Sequence, residues 1–336
     1  MKKAFALVGA IALTLTPSTL TAENLIAKES HTKQRMHFLN DDLSDEILNA
    51  LGRKGYTLQP GVNFKVAKLR DIGVEGEDLT NADLRYAPLS GSNLRGVNLS
   101  GVDLKGRDLS GSDLTNAILK GTKLKGANLT GANLTGANLK GANLSGSDLT
   151  GANLTIAKLS NAKLSDANLT YANLIRAKLN KANLSGADLS GANLSSANLT
   201  GANLRNAKVV EGIGGKWTDA DLTGADLSGA SLRNVLVPST DFTNANLTGA
   251  EVTSKDFRGT YFTKANLTDT RLNGTRMRGN NFDGAKFKNK NERNEILCRF
   301  KFNSYNIFKD SRSSRSKCIK YGYDEYMEMR LKESND

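Results

Sequence analysis

The chain has 336 residues, with 46 Lys and Arg against 34 Asp and Glu, a formal charge of +12 that favours anionic partners over cationic ones. Apolar residues make up 38% and aromatics 6%, below the roughly 45–50% apolar content of an ordinary globular chain. With 32 Gly but only 4 Pro it is neither collagen nor a Pro-rich linker, and two His with two Cys leave little for a His/Cys metal site or a His-based triad.

Residues 1–22 read as a secretory signal peptide. Lys2 and Lys3 give the charged start, Ala4 to Leu15 the apolar stretch, and Thr21-Ala22 a small residue at the cleavage point. The stretch is too short to span a bilayer, which needs roughly 20 residues. No Cys follows it, which argues against a lipoprotein. The Met-Lys-Lys start points to a bacterial chain exported to the periplasm or beyond. Residues 23–61 follow as a polar linker carrying His31 and His37, then a capping helix over 41–53. Asp41 to Ser44 offer caps, Leu43, Ile47, Leu48 and Leu51 share one helical face, and Gly52 or Gly55 ends it.

From Phe64 to Val209 an apolar residue returns every five positions, giving 30 pentads within residues 62–209. Ala127-Asn128-Leu129-Thr130-Gly131 shows the unit: small, Asn or Asp, Leu, hydroxyl, Gly. The expected core ladder includes Leu129, Leu134, Leu139, Leu144, Leu149 and Leu154. Residues 210–216 form a Gly-rich bulge of three extra positions. The phase then resumes at Trp217, itself at a core position, and runs 15 pentads to Phe287 within residues 217–289. The distal end is less regular: Phe257, Phe262, Met277, Phe282 and Phe287 replace Leu, and Lys255 and Asn280 occupy sites suited to small apolar residues.

A period of five is neither helical nor that of a continuous strand. Two inward residues two positions apart fit a short extended segment, and the polar remainder with its Gly fits a turn. The result is a solenoid with a thin Leu/Ala core. The tandem Ala-(Asp/Asn)-Leu-X-X units resemble the pentapeptide repeat family. That resemblance implies an all-β fold, a right-handed quadrilateral parallel β-helix with one pentad per side, about 11 coils and a length on the order of 50 Å.

Residues 290–336 are basic and aromatic. They read as a cap on the last coil, stapled by a disulfide between Cys298 and Cys318, with cations including Arg312, Arg315 and Lys317 as an alternative anion-binding tail. Residues 324–333 look like a short charged helix.

No catalytic, cofactor-binding or metal-ligating residue is assigned. Asp and Asn interchange along the repeat, as catalytic carboxylates would not, and no phosphate-binding glycine loop precedes a helix. Some members of the resembled family mimic DNA and bind type II topoisomerases, which needs an acidic, cytosolic rod. Here the residue before each core position in the first 30 pentads is Asn 14 times, Asp seven times and Lys six times. If residues 20 apart stack, Lys65, Arg85, Lys105 and Lys125 form one basic column. Lys120 with Lys140, Lys158 with Lys178, and Arg258 with Arg278 form shorter ones. The expectation is a non-enzymatic, exported scaffold with a protein partner. The alternative is a module that binds an anionic surface or lipopolysaccharide through these columns, and a solenoid end offers a homodimer contact.

Overall fold

A computed structural model describes residues 74–80, 82–209, 214–274, 279–294 and 296. The expected signal peptide, the expected helix at 41–53, Lys65, most of the bulge at 210–216, Met277, Arg278, both cysteines and the tail beyond 296 lie outside the described residues.

Each pentad is a short extended segment followed by a turn. Ala127 and Leu129 point inward and are fully buried, while Asn128 between them is exposed, the period-two alternation of extended chain. Leu129 then opens a β-turn that closes when Ala132 N–H donates to Leu129 O at 3.0 Å. The second central residue, Gly131, has φ +64°, the signature of a type II turn.

Successive coils stack in parallel. Asn128 pairs with Asp148, Asn133 with Asn153, Asn138 with Lys158 and Asn143 with Lys163, so a coil takes 20 residues and four pentads. We number its sides 1 to 4 from these four columns. The pairing runs from Asp78 to Lys286.

All five N–H groups of the unit are satisfied. Asn128 N–H donates to Arg107 O of the preceding coil (2.9 Å). Leu129 and Gly131 N–H donate to Asp148 O and Thr150 O of the following coil (2.7 and 2.9 Å). Ala127 N–H closes the previous turn on Leu124 O (3.0 Å). The fifth, Thr130 N–H, donates to the side-chain Oδ1 of Asn128 (3.0 Å). This bond is why the outward position takes Asn or Asp indifferently: either supplies the oxygen.

The bulge is absorbed without loss of register. Strand β1 (Lys208–Val209) pairs with β3 (Ser231–Leu232) at a spacing of 23 residues instead of 20. β2 (Gly215–Lys216) pairs with β4 (Val235–Leu236) at 20 again, as β5 (Glu251–Ser254) does with β6 (Arg271–Gly274). Gly214 is required there: at φ +69° a Cβ would come within 2.7 Å of Asn234 O. Trp217 fills the adjoining core site with no exposed surface.

The core is one continuous column, in which Leu129 to Leu154 are each at most 1% exposed. Several hydroxyl residues at the small inward site bond to carbonyls: Thr122 Oγ1 donates to Leu99 O (2.7 Å) and Ser147 Oγ to Leu144 O (2.7 Å). Toward the distal end Phe242, Phe262 and Phe282 stack one per coil, with centroids 5.2 and 5.0 Å apart and rings nearly parallel. Lys255 does not enter the core. Ser254 is buried instead, its Oγ donating to Asp256 O (2.9 Å), and Lys255 is exposed. Asn280 sits half-buried, its Oδ1 accepting from Thr260 N–H (3.0 Å). A helical turn from residue 290 follows, capped by Asn289 Oδ1, which accepts from the N–H groups of Asn291 and Glu292 (both 2.9 Å). Ile296 is buried against the end of the core.

In the 24 turns from Gly91 to Asn206 the second central residue always has positive φ; fifteen are Gly and nine are not. Six of those nine are consecutive: Ile156, Asn161, Asp166, Tyr171, Arg176 and Lys181. A β-branched residue is the worst tenant of this conformation, which costs an ordinary residue roughly 1–2 kcal/mol.

Two outcomes in thermal or urea melts follow from this geometry. Leu144→Ala, in the middle of the column, should cost about 2–5 kcal/mol. Ile156→Gly should gain about 1 kcal/mol, whereas Gly131→Ile should lose about 1–2 kcal/mol, because that position is sterically open and only its left-handed φ opposes a side chain.

Candidate functional site

Because the inward residues fill the core, recognition is left to the outward residue of each pentad and its two turn residues. These form a grid with rows about 4.8 Å apart. The four basic columns differ sharply in this setting.

Arg85, Lys105 and Lys125 stand on the edge between sides 4 and 1. Arg85 is tied to Asp83 (2.7 Å) and Lys105 to Asp103 (3.6 Å). Each partner lies two residues back, on the outward position of the same pentad. Arg258 is held by Asp256 at 2.6 Å. These cations are locally compensated, and of that first column Lys125 alone makes no ion pair among the described residues. Lys120 and Lys140, on the edge between sides 3 and 4, and Lys158 with Lys178, paired directly on side 3, are all exposed and make no ion pair among the described residues.

The structure adds members that column arithmetic missed. Lys123 and Lys163 lie on side 4, beside Lys120 and Lys158. Lys181 lies on the edge between sides 3 and 4, and Arg176 on the edge between sides 2 and 3. All are exposed and without an ion pair among the described residues. The last two occupy the left-handed turn position, off the spacing that links the outward residues. Assigning every fifth residue to an edge would have found them.

The outward lysines also forgo a hydrogen bond. Lys158 has no acceptor to offer the N–H two residues on, whereas Asn153 Oδ1 accepts from Thr155 N–H at 3.1 Å and Asn168 Oδ1 from Thr170 N–H at 3.1 Å.

The acidic residues are held by local donors. For Asp113, Asp188 and Asp221, burial pushes the carboxyl up, but bonds from hydroxyl and backbone donors outweigh it and hold each below the usual carboxylate range. Those donors belong to Thr115, Ser190 and Thr223; Arg95 and Lys208 add charge at the first two, and the Thr200 hydroxyl adds a bond at Asp221. A groove at the distal end is lined in part by Glu251, Asp269 and Glu292. All three are engaged: Glu251 with Arg233 (2.9 Å), Asp269 with Lys288 (2.7 Å) and Glu292 with the backbone N–H of Lys288. No group of three metal-ligating side chains occurs among the described residues.

The model of the pentapeptide repeats matches in eight copies between residues 78 and 289, interrupted at the bulge between 206 and 218. The chain belongs to the pentapeptide repeat family. Among solved structures it is similar to HetL, a pentapeptide repeat protein involved in heterocyst differentiation regulation in the cyanobacterium Nostoc sp. strain PCC 7120. The identity is 27% over 74% of this chain and 95% of that one, with a TM-score of 0.43. A trypsin-treated form of QnrB1, a plasmid-mediated fluoroquinolone resistance protein, matches at 19% identity over 60% of this chain and 93% of its own, with a TM-score of 0.37. A pentapeptide repeat protein of the Arabidopsis thaliana thylakoid lumen matches at 32% identity over 33% and 71%, with a TM-score of 0.19. No curated protein matches the sequence.

Two measurements test these placements. Lys158→Asn should raise stability by about 0.5–1 kcal/mol, by giving Ser160 N–H the acceptor present in neighbouring pentads. Carboxylates whose folded pKa is lowered stabilise the fold above their unfolded pKa, near 4, and that contribution disappears as pH falls through the lowered values. Melting temperature should therefore drop below about pH 4, and Asp221→Asn should flatten the drop.

Proposed function

We propose that this protein is a non-enzymatic scaffold, exported to the periplasm or envelope, that engages a protein partner along its sides. The observation that carries the reading is Tyr171. It is 60% exposed and held at φ +58°, a position that Gly fills in most turns of the chain. It stands at the edge of side 2, whose outward residues Asn133, Asn153 and Asn173 are uncharged. An exposed aromatic on a rigid neutral surface is a common anchor in protein interfaces.

A second reading, an anion-binding module, is favoured by a different observation: the unpaired lysines of sides 3 and 4. The same lysines and the net charge of +12 run against an acidic DNA mimic.

The test uses cells. A photo-crosslinking residue in place of Asn153 should give one discrete adduct in the envelope or periplasmic fraction, and Tyr171→Gly, which relieves the turn, should abolish it. The protein in that fraction should begin near residue 23. Full-length, uncleaved protein in the cytosol would sink the export claim, and an adduct indifferent to Tyr171 would sink the anchor. For the second reading, salt-dependent retention on heparin is expected, and Lys105→Glu should matter less than Lys125→Glu because Asp103 already compensates Lys105.

A further inference from the structure

We propose that side 3 of the rod, with its two edges between Ile118 and Lys181, is the surface by which the protein lies on an anionic phospholipid bilayer. The inference rests on the anion-binding reading above and leaves the protein-partner reading untouched.

Four successive coils contribute. Six cations stand there, Lys120, Lys140, Lys158, Arg176, Lys178 and Lys181, all exposed and none in an ion pair among the described residues. The side and its edges carry no Asp or Glu from Thr115 through Thr200. In the next coil Asp219 and Asp221 return, so the patch has a boundary. Among the cations stand outward aliphatic residues: Ile118 is 36% exposed, Ile156 is 49% exposed, and Ile175 is half-buried.

Two features of this side oppose folding. Lys158 and Lys178 stand where Asn or Asp would accept a backbone hydrogen bond. Ile156 holds φ +54° at a turn position that is Gly in the preceding coil on the same edge, Gly136. Each exposes charge or hydrocarbon to water at the expense of the turn. A bilayer interface receives both, since anionic headgroups attract the ammonium groups and the acyl boundary takes aliphatic side chains.

The composition separates this occupant from others. Single-stranded nucleic acid is held by cations interleaved with aromatic rings, and this side has no aromatic residue between Thr115 and Lys181. Paired carboxylates of a protein partner are matched by Arg forks, whereas five of the six cations are Lys, which act as point charges in a diffuse field. The stacked bridges make the surface broad and rigid, and the apolar residues protrude from it.

The test is co-sedimentation of the full chain with vesicles of phosphatidylcholine containing about one third phosphatidylglycerol. Binding is expected to these vesicles, to weaken as salt shortens the screening length, and to be absent with phosphatidylcholine alone. Lys158→Asn with Lys178→Asn should weaken it about tenfold while the melting temperature holds or rises, so misfolding cannot explain the loss. Lys264→Gly with Lys286→Asn removes the same charge from distant coils and should leave binding unchanged. Ile156→Gly should weaken binding and make what remains more salt-sensitive. Equal loss in both lysine pairs, or no vesicle binding at all, would overturn the proposal. Retention on heparin without vesicle binding would overturn the lipid assignment and leave the anion-binding reading standing. Side-3-dependent binding of single-stranded DNA in place of vesicles would also overturn it.

Discussion

The structure depends on one constraint: a five-residue unit with neither helix nor wide sheet must find an acceptor for each of its five backbone N–H groups. Three are satisfied along the rod axis by the coils on either side, and one closes the preceding turn. The last has no backbone partner and takes the side-chain oxygen of Asn128 or its equivalents. Left to water in every pentad, that amide would forgo a net contribution of about 0.5–1.5 kcal/mol each time. The Asn and Asp frequency that looks like surface polarity is therefore part of the backbone. So is the hydroxyl that follows: Thr135 Oγ1 donates to the Asn133 Oδ1 that already accepts from Thr135 N–H.

The same geometry fixes the turns. Closing the bond from Leu129 O to Ala132 N–H on a type II turn demands a left-handed residue at 131, and the same holds at every fifth position from Gly91 to Asn206. Glycine meets the demand at no steric cost, which accounts for the glycine content of the chain. The low apolar fraction has a matching origin, because a core one Leu and one small residue thick needs only two inward side chains in five. Its continuity matters more than its thickness. The Phe242, Phe262 and Phe282 stack carries the column into the last coils, where Leu gives way to wider rings.

The inward pattern was legible from sequence because it is strictly periodic, and Leu129 through Leu154 and Trp217 lie where the period puts them. The spacing of 20 residues per coil came from the family resemblance, since the period gives the length of a side and not the number of sides. The bulge was legible as a count, and the pairing of Lys208 with Ser231 shows it as a single lengthened coil. Charge compensation was not legible. Whether Lys105 is free depends on its side chain folding back to Asp103, and whether Lys181 belongs with Lys178 depends on which edge each turn occupies. Lys255 failed as a core residue because a buried ammonium costs more than a local shift that buries Ser254 in its place.

A repeat chain carries its own reference state. Dozens of pentads show what each position does when only folding constrains it: Asn or Asp outward, Thr or Ser next, Gly in the left-handed turn. A departure at one position can therefore be weighed against its neighbours in the same molecule, without any other sequence. Isolated departures such as Asn116, whose amide tolerates the left-handed region, carry little information. The coils around Ile156 to Lys181 are different, because they abandon glycine at six successive turns, four of them for residues without that tolerance (Ile156, Tyr171, Arg176 and Lys181), and also place Lys at three outward positions, 158, 163 and 178. The folding cost is concentrated where the exposed side chains are chemically most varied. On one edge they are aliphatic and cationic, on another aromatic, and the neutral Asn column of side 2 lies between. A rod that served only as a spacer would have no physical reason to concentrate strain in that segment.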